Sequence, residues 1–484
     1  MEFLFIYPPN ARQTHILPMG LAYIGAILMK AGHKVKALDI DAYRFSRQEV
    51  VDYLRRASFD AVCISGLISV FKAARWVARE VRQIRPEVPI LAGGPLISSH
   101  PKFFLEHSDA DIAVDGEGED AILEIVDALE GHRPLENIPG IVYKKDGQVL
   151  ATAPRGRRVD LDSIPFPAND LFPVELYLRR SSFVNPQRQR HMAVLGTRGC
   201  PYPCTYCDRA FGKKAVYRSP ESIVAEMQWL KEKYRINVLT FVDDFFFSTK
   251  KRVMELCELM IKANLNIRWN VSGRVDQLDR EIIRAIKAAG CEKLGMGIES
   301  GSEKILKIIK KHISLDDAIE KFKMMREEGI SPSASFIYGL PGEDEQTTRE
   351  HIEFRKKLNR MTGSQAPAGT FWITPLPGTE LYKWAMDNGR IADELAYIEK
   401  LSDTNTISKF LINLTDMPTE RLWAMKAQLL KEIEMDYYRD HRWKMVRNYL
   451  APRFFRYSGI ELWVRACRKA LKIYRRKRFL ASAN

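Results

Sequence analysis

Short apolar segments alternate with longer segments of helical periodicity along most of the chain. The apolar segments of residues 1–150 predict four strands, at 2–7, 34–39, 61–65 and 90–92. Segments with helical periodicity predict three helices, at 21–31, 70–85 and 120–130. This alternation is typical of a doubly wound parallel sheet, in which ligands lie beyond the carboxyl ends of the strands.

A second run of the same alternation begins after residue 190. It predicts six strands, at 191–197, 238–242, 267–271, 293–298, 333–337 and 369–374. Five helices are predicted to follow the first five strands, at 219–234, 249–263, 279–289, 315–328 and 344–359. Six such units make three quarters of a closed β/α barrel, and the open side would admit a bulky substrate. The predicted fold class is therefore α/β.

The predicted domain boundaries follow changes in pattern and composition. Residues 1–150 form the doubly wound domain, and 151–190, with five prolines, form a linker. The partial (β/α)6 barrel covers 191–385. A helical C-terminal region covers 386–484, with helices predicted at 395–407 and 419–438.

Three cysteines lie close together directly after the first barrel strand. Cys200, Cys204 and Cys207 are spaced C-x3-C-x2-C, and Pro201 and Pro203 between them predict a loop. Such a loop can direct three sulfurs at one metal centre. A structural zinc ion needs a fourth ligand, which a distant cysteine or histidine would supply, and this alternative stays open, as does a set of ordinary buried cysteines.

Polar residues and glycines follow the predicted strands of both sheets, where ligands bind. In the barrel they are Asp243, Asp244, Arg274, Glu299, Ser300 and the segment 339–343. In the N-terminal domain the glycine-bearing loops are 8–20, 66–69, 93–97 and 115–119, which either approach a large flat ligand or only form turns. No G-x-G-x-x-G follows the first strand, so dinucleotide binding is not expected.

The cysteine motif, with Tyr206 before its last cysteine, resembles that of the radical S-adenosylmethionine (SAM) enzymes. The resemblance implies a 4Fe–4S cluster on Cys200, Cys204 and Cys207, with SAM on the fourth iron. The segment 297–301 resembles the ribose-contacting motif and 339–343 the adenine-side motif, although Ser335 replaces a glycine expected there. The residues implied in SAM binding are Tyr206, Asp244, Arg274, Glu299, Ser300, Gly339 and Gly342.

Residues 1–150 resemble the Rossmann-like cobalamin-binding domain found before many radical SAM barrels. The matching segments are 18–23, 32–33, 92–95 and 115–119. The D-x-H-x-x-G motif that places a histidine on cobalt is absent, and His33 fits a turn better than a cobalt ligand. The residues implied in cobalamin binding are Met19, Gly20, Gly66, Gly93, Gly94, Gly116 and Glu117.

The amino-acid composition supports two predictions, one about the cellular compartment and one about the C-terminal tail. The seven cysteines predict a reducing compartment, and the N-terminus has no signal-peptide pattern, so a cytoplasmic protein is expected. Residues 439–484 hold 14 Lys and Arg against two acidic residues, and therefore carry +12 of the net charge of +14. Interleaved aromatic residues predict docking on the inner membrane surface. Alternatively, the tail is a solvated basic extension or a helix packed on the barrel. Binding of nucleic acid by the tail is not expected.

The resemblance implies an enzyme that cleaves SAM to a 5′-deoxyadenosyl radical and activates a C–H bond. Methyl transfer involving cobalamin to an apolar, lipid or tetrapyrrole-like small molecule is predicted, with a flavodoxin- or ferredoxin-like electron donor. An oxidative cyclase, similar to the anaerobic magnesium-protoporphyrin monomethyl ester cyclase, is the nearest alternative. A non-catalytic, zinc-stabilised cobalamin carrier and a tRNA-modifying enzyme are further ones.

Overall fold

The computed structural model describes residues 1–11, 16–97, 100–179, 189–362, 369–403 and 409–440. They fall into two compact units. The first comprises Met1–Ser272, Ala288–Cys291 and Pro375–Thr406. The second comprises Gly273–Lys287, Glu292–Thr374 and the described part of Ile407–Asn484.

A seven-stranded sheet forms the N-terminal part of the first unit. Its strands are β1 (Glu2–Tyr7), β2 (Lys34–Asp39), β3 (Ala61–Ser65), β4 (Ile90–Gly93), β5 (Ile112–Val114), β6 (Ile141–Lys145) and β7 (Gln148–Ala151). Their order is β2-β1-β3-β4-β5-β6-β7. The pairs from β2 to β5 are parallel, and the last two are antiparallel. The predicted doubly wound sheet is confirmed for its parallel part.

Helices cover this sheet. They are α1 (Met19–Lys30), α2 (Ile40–Tyr43), α3 (Arg47–Arg56), α4 (Phe71–Ile84), α5 (Pro101–Glu106), α6 (Gly118–Leu129) and α7 (Val174–Leu178). Four successive residues of β1, from Phe3 to Ile6, are fully buried. Consecutive burial requires cover on both faces of a strand, which is why this segment is continuously apolar.

Several elements here were not predicted. The hairpin of β6 and β7 turns at Asp146 and Gly147, whose φ values of 50° and 76° mark a tight Asp-Gly turn, a signal that the sequence contained. β5 has three residues, too few to show a period. The linker is not wholly extended, because α7 follows Pro173 and buries Tyr177, whose hydroxyl donates to Asp39 at 2.7 Å.

The remaining elements follow in chain order. They are β8 (His191–Val194), β9 (Thr197–Arg198), β10 (Val216–Tyr217), α8 (Pro220–Tyr234), β11 (Val238–Phe241), α9 (Lys250–Ala263), β12 (Arg268–Gly273), α10 (Arg280–Ala288), β13 (Cys291–Glu299), α11 (Glu303–Ile308), α12 (Leu315–Glu327), β14 (Ser331–Tyr338), α13 (Glu345–Thr362), β15 (Thr370–Trp372), α14 (Glu380–Asp387), α15 (Glu394–Asp403) and α16 (Thr419–Asp440).

The six predicted barrel strands are all present. In the first unit β8, β11 and β12 pair in parallel, and in the second unit β13, β14 and β15 do so. The strand predicted at 191–197 is divided, because β8 ends at Val194 and β9 pairs antiparallel with β10. Helices α11 and α14 were not predicted. Within the described residues, every helix is too short or too polar to span a lipid bilayer.

His351 on α13 is a buried histidine in an apolar setting. Its ring centroid lies 5.0 Å from that of Phe336, and 1% of the residue is exposed. Neither ring nitrogen has a hydrogen-bond partner among the described residues. Burial, aided by the nearby Arg355, lowers the pKa of His351 to about 3. The folded chain therefore keeps this ring neutral where an unfolded chain would protonate it.

Replacing His351 with leucine should reduce the acid sensitivity of the fold. Between about pH 6.5 and the lowered pKa, only the unfolded state gains the proton, so stability falls as pH falls. Below about pH 6.5, we expect the free energy of unfolding of His351→Leu to fall by about 1 kcal/mol less per pH unit than that of the wild type. Urea unfolding of both proteins at about pH 7.5 and about pH 5.5 measures this difference. Equal losses in the two proteins would contradict the assignment.

Candidate cofactor sites at the strand ends

The three cysteines lie on an irregular loop between β9 and β10, as predicted. From Cys200 to Cys207 the backbone is neither helix nor strand. Cys204 is buried, Cys200 is half-buried and Cys207 is exposed. Among the described residues, no three Cys, His, Asp or Glu side chains are grouped closely enough to hold a metal ion. The assignment of the thiols to a cluster therefore rests on the donor set, which is three sulfurs on one short loop.

Gly199 fixes the start of this cysteine loop. Its φ of 83° lies in the left-handed region, and a Cβ there would lie 2.5 Å from the carbonyl oxygen of Lys214 and 2.9 Å from that of Phe211. The amide of Cys200 donates to the carbonyl of Gly212 at 3.2 Å. Only glycine allows the two ends of the loop to approach this closely.

Two aspartates at the end of β11 hold the same backbone. Asp243 accepts from the amide of Gly196 at 3.0 Å, and Asp244 accepts from the amide of Gly199 at 2.7 Å. Burial raises the pKa of Asp243 to about 6 and also raises the pKa of Asp244. Asp244, predicted to contact SAM, thus has an observed role in positioning the cysteine loop. Tyr206 is half-buried on that loop.

The cobalamin residues implied by the resemblance differ in their surroundings. A Cβ at Gly20, Gly93 or Gly116 would meet no atom of the described residues within 4 Å, so this part of the chain leaves space for a ligand beside each of them. In contrast, a Cβ at Gly66 would lie 2.6 Å from Val70, and one at Gly94 would lie 2.7 Å from Ser65. Packing within the protein therefore explains why Gly66 and Gly94 have no side chain, without a ligand.

Met19 and Glu117 complete the implied cobalamin set. Met19 is half-buried at the start of α1. Both carboxylate oxygens of Glu117 are engaged, one by the Arg198 guanidinium at 2.9 Å and the other by the amide of Arg158 at 2.8 Å. His33 precedes β2 at the amino end of the strand, which is the edge opposite to the ligand-binding one. A role for His33 on cobalt is thereby disfavoured.

In the second unit, Glu299 ends β13 in a strained conformation. Its φ is 71°, and its carboxylate lies 3.4 Å from the amine of Lys311, with both side chains buried. A Cβ at Gly297 would lie 2.3 Å from the Glu299 carboxylate and 3.0 Å from the Lys311 amine. Gly297 thus provides the space in which this ion pair forms. The neighbouring Ser300 is buried, with its hydroxyl accepting from the amide of Ser302.

Arg274 supports this part of the second unit. Its guanidinium donates to Asp276 at 3.0 Å and to the carbonyls of Lys311 and His312 at 2.7 and 3.3 Å. These contacts fix the backbone that carries Lys311. The structure therefore gives Arg274 a positioning role, and its predicted contact with SAM stays a prediction.

The segment after β14 forms a second turn with two left-handed glycines. Gly339 and Gly342 have φ values of 94° and 80°. Glu343 accepts from the amide of Gly339 at 2.7 Å, and burial raises its pKa to about 8. Nearby, the amine of Lys426 lies 3.8 Å from the centre of the Trp372 ring, and burial lowers its pKa to about 8. The carboxyl of Glu343 and the amine of Lys426 therefore have similar pKa values.

Three charged residues of these sites were not predicted from the sequence, namely Arg198, Lys311 and Lys426. Glu119 was included only as the last residue of the matching segment 115–119. For Lys426 a signal existed, because it shares a face of α16 with Leu422, Leu429 and Ile433, which are buried. The ion pairs of Arg198 with Glu117 and Glu119, and of Lys311 with Glu299, join residues at least 12 positions apart in the sequence, and no local pattern marks them.

Comparison with known proteins agrees with this geometry. The Radical SAM superfamily model matches residues 194–355, and the B12 binding domain model matches residues 11–126. An uncharacterized methyltransferase, PH0819, of Pyrococcus horikoshii is 31% identical over 398 residues, which are 80% of this chain and 84% of that protein. An anaerobic magnesium-protoporphyrin IX monomethyl ester cyclase of Synechocystis sp. is 26% identical, covering 89% of this chain and 85% of the cyclase.

Solved structures share the fold. The structure of the radical SAM methyltransferase TsrM from Kitasatospora setae, with cobalamin and a 4Fe–4S cluster bound, superposes with a TM-score of 0.68. The two chains are 19% identical, and the match covers 81% of this chain and 75% of TsrM.

Fold and motifs together define a radical SAM enzyme. The chain belongs to the radical SAM family whose members carry an N-terminal B12-binding domain. Membership implies SAM, a 4Fe–4S cluster and cobalamin as cofactors, as predicted. The alternative of a non-catalytic, zinc-stabilised carrier finds no support in these matches.

Adding one methyl group at Gly297 should disrupt the Glu299–Lys311 pair. We expect Gly297→Ala to lower the free energy of unfolding by about 1–3 kcal/mol, because the new Cβ overlaps a buried carboxylate. Gly156→Ala is the matched control, since a Cβ at Gly156 meets nothing within 4 Å. Urea unfolding measures both changes, and an equal effect of the two substitutions would contradict this account of the site.

Proposed function

We propose that this enzyme transfers a methyl group, with cobalamin, to an unactivated carbon of an apolar small molecule. The observation that carries the proposal is the 31% identity to a methyltransferase along most of both chains. It is supported by the presence in one chain of the cysteine loop and of a B12-binding domain. The substrate class is proposed to be a lipid or a tetrapyrrole-like molecule.

The three thiols would bind the cluster and leave one iron open for SAM. When bound, the cluster supplies the electron that cleaves the sulfonium of SAM. Asp244 and Gly199 set the start of the loop, so that Cys200, Cys204 and Cys207 can converge on one centre. Tyr206 would line the same site from between the last two cysteines.

The second unit is proposed to orient SAM. The Glu299 carboxylate would accept from the ribose hydroxyls, a contact supported by its fixed position beside Lys311. Backbone groups at Gly339 and Gly342 would pair with the adenine edge, because glycine permits close approach. Ser300 and Arg274 complete the set, Arg274 by fixing the backbone around Lys311.

Cobalamin is proposed to bind at the carboxyl edge of the parallel sheet. The open space beside Gly20, Gly93 and Gly116 supports this, since a flat macrocycle needs backbone without side chains against it. Met19 would add an apolar contact. The sequence holds no D-x-H-x-x-G motif, so no histidine of that motif would help to hold cobalamin.

Oxidative cyclisation without methylation is the second candidate. It is favoured by the match to a magnesium-protoporphyrin ester cyclase across 89% of this chain. The same cysteine loop and SAM residues would serve both reactions. They differ in the fate of the substrate radical, which gains a methyl group in one reaction and loses a further electron in the other.

The products distinguish the two reactions. After anaerobic reconstitution and reduction, we expect both 5′-deoxyadenosine and S-adenosylhomocysteine to form, because one SAM is cleaved and another donates the methyl group. Deoxyadenosine alone would favour cyclisation.

Cys207→Ala is the informative variant, since Cys207 is exposed and its removal should leave the fold intact. We expect it to lose bound iron and deoxyadenosine formation. The control is Cys467→Ala, which removes a thiol of the C-terminal tail outside the cysteine motif and should keep both. Zinc instead of iron in the wild-type protein would contradict the proposal.

The basic tail is proposed to dock the enzyme on the inner membrane face, near an apolar substrate. Residues 441–484 of this tail lie outside the described residues. The support is their charge and aromatic content. A flavodoxin- or ferredoxin-like protein is the proposed electron donor.

Truncation after Asp440 tests this docking while leaving α16 whole. We expect the full chain to bind anionic lipid vesicles and the truncated chain to lose most of that binding, because each basic residue near the surface contributes about 1 kcal/mol. Vesicle sedimentation measures it, with neutral vesicles and high salt as controls. Equal sedimentation of the two chains would contradict a membrane role.

A further inference from the structure

A buried cluster of charges lies directly before the cysteine loop. The Arg198 guanidinium contacts Glu117 at 2.9 Å and Glu119 at 2.5 Å. The side chains of Arg198, Glu117 and Glu119 are 5%, 8% and 7% exposed. One arginine thus bridges two carboxylates that follow β5, away from water. We call these three residues the arginine bridge.

Both ends of the arginine bridge are fixed to their surroundings. Glu117 also accepts from the amide of Arg158, whose side chain pairs with Asp120. On the other side, the Arg198 guanidinium lies 4.9 Å from the centre of the Phe211 ring, and Arg198 pairs with Val216 in the β9–β10 ladder. A shift of either side therefore moves the other.

The bridge joins the two regions to which different cofactors are assigned. Arg198 is two residues before Cys200, and the intervening Gly199 is fixed by Asp244. Glu117 and Glu119 follow Gly116, where space is open for a ligand. The contact between the start of α6 and β9, the strand that leads into the cysteine loop, is direct, through three side chains.

Stability alone is a weak reason for such a cluster. Apolar residues of similar volume often stabilise a fold as well as a buried ion pair does, because charges lose hydration on burial. Ion pairs that include hydrogen bonds depend on the orientation of their groups, whereas apolar contacts do not. A planar guanidinium that contacts two carboxylates allows one placement of the loops, whereas an apolar contact tolerates sliding.

We propose that Arg198 is a positioning residue that couples cobalamin binding at the 115–119 loop to the state of the cysteine loop. The inference rests on the proposed function for the identity of the two ligands. Binding at either loop then shifts the other through the arginine bridge, and by linkage the effect is reciprocal. Cluster loading would change the affinity for cobalamin, and cobalamin would change the affinity for the cluster.

The test compares cobalamin affinity with and without the cluster. Hydroxocobalamin is titrated anaerobically into the full-length protein, cluster-loaded or cluster-free, and binding is followed by absorbance. For the wild type we expect the two dissociation constants to differ by about fivefold or more. Arg198→Lys keeps the charge but loses the planar guanidinium, whose two nitrogens each contact one carboxylate. We expect it to bring the two constants within about twofold, with iron content and cobalamin binding retained.

Two further variants make the result decisive. Glu119→Gln has the same shape and removes one charge of the bridge, so it should also reduce the ratio, and it replaces Arg198→Lys if that protein does not fold. Arg82→Lys is the control, because the Arg82–Asp111 pair touches neither loop, and its ratio should equal that of the wild type. A merely structural role for Arg198 would lower stability or both affinities and leave the ratio unchanged.

Failure of this inference is separable from failure of the proposed function. If the wild type binds cobalamin and cluster with no coupling, or if Arg198→Lys and Glu119→Gln couple as the wild type does, the arginine bridge has no positioning role and the proposed function stands. If the wild type binds no cobalamin, both the coupling and the cobalamin-dependent function are wrong.

Discussion

Three buried charges hold the start of α6 against β9, the strand that leads into the cysteine loop. Charge is costly to bury, and the cost is offset only when every charged oxygen and nitrogen is paired. In this cluster the Arg198 guanidinium donates to one oxygen of Glu117 and to one oxygen of Glu119, and the other oxygen of Glu117 accepts from the amide of Arg158. The cysteine loop is therefore placed by electrostatics as well as by the sheet that leads into it.

The second unit uses a related device at Glu299. A carboxylate at the end of β13 turns back over Gly297 and meets Lys311, while Arg274 holds the backbone on which Lys311 lies. The positive φ of Glu299 stores strain, and strain of this kind persists only where surrounding contacts determine the conformation. The ribose contact proposed for Glu299 would gain from a carboxylate that is held in place before the ligand arrives.

The C-terminal helix α16 contributes more than cover for the sheet. It brings Lys426 onto the face of Trp372, near the buried carboxyl of Glu343. Glu343 in turn fixes the glycine turn after β14 through the amide of Gly339, and adenine binding at this turn stays a proposal. In an enzyme whose cofactors perform the difficult chemistry, the protein supplies position and a dry site, and these buried charges serve position.

Local pattern determined the strands β1 to β4, the six barrel strands, the helices that follow five of these and the cysteine loop, because period and turn residues act over a few positions. β1, β2 and β3 have the predicted bounds, and Pro201 and Pro203 correctly indicated a loop. Pattern failed where a segment was too short to show a period, as in β5 and α7. The SAM and cobalamin residues came from resemblance to a family. Their partners, Arg198 for Glu117 and Lys311 for Glu299, were decided by tertiary structure alone, because an ion pair between distant residues leaves no trace in the local order of the chain.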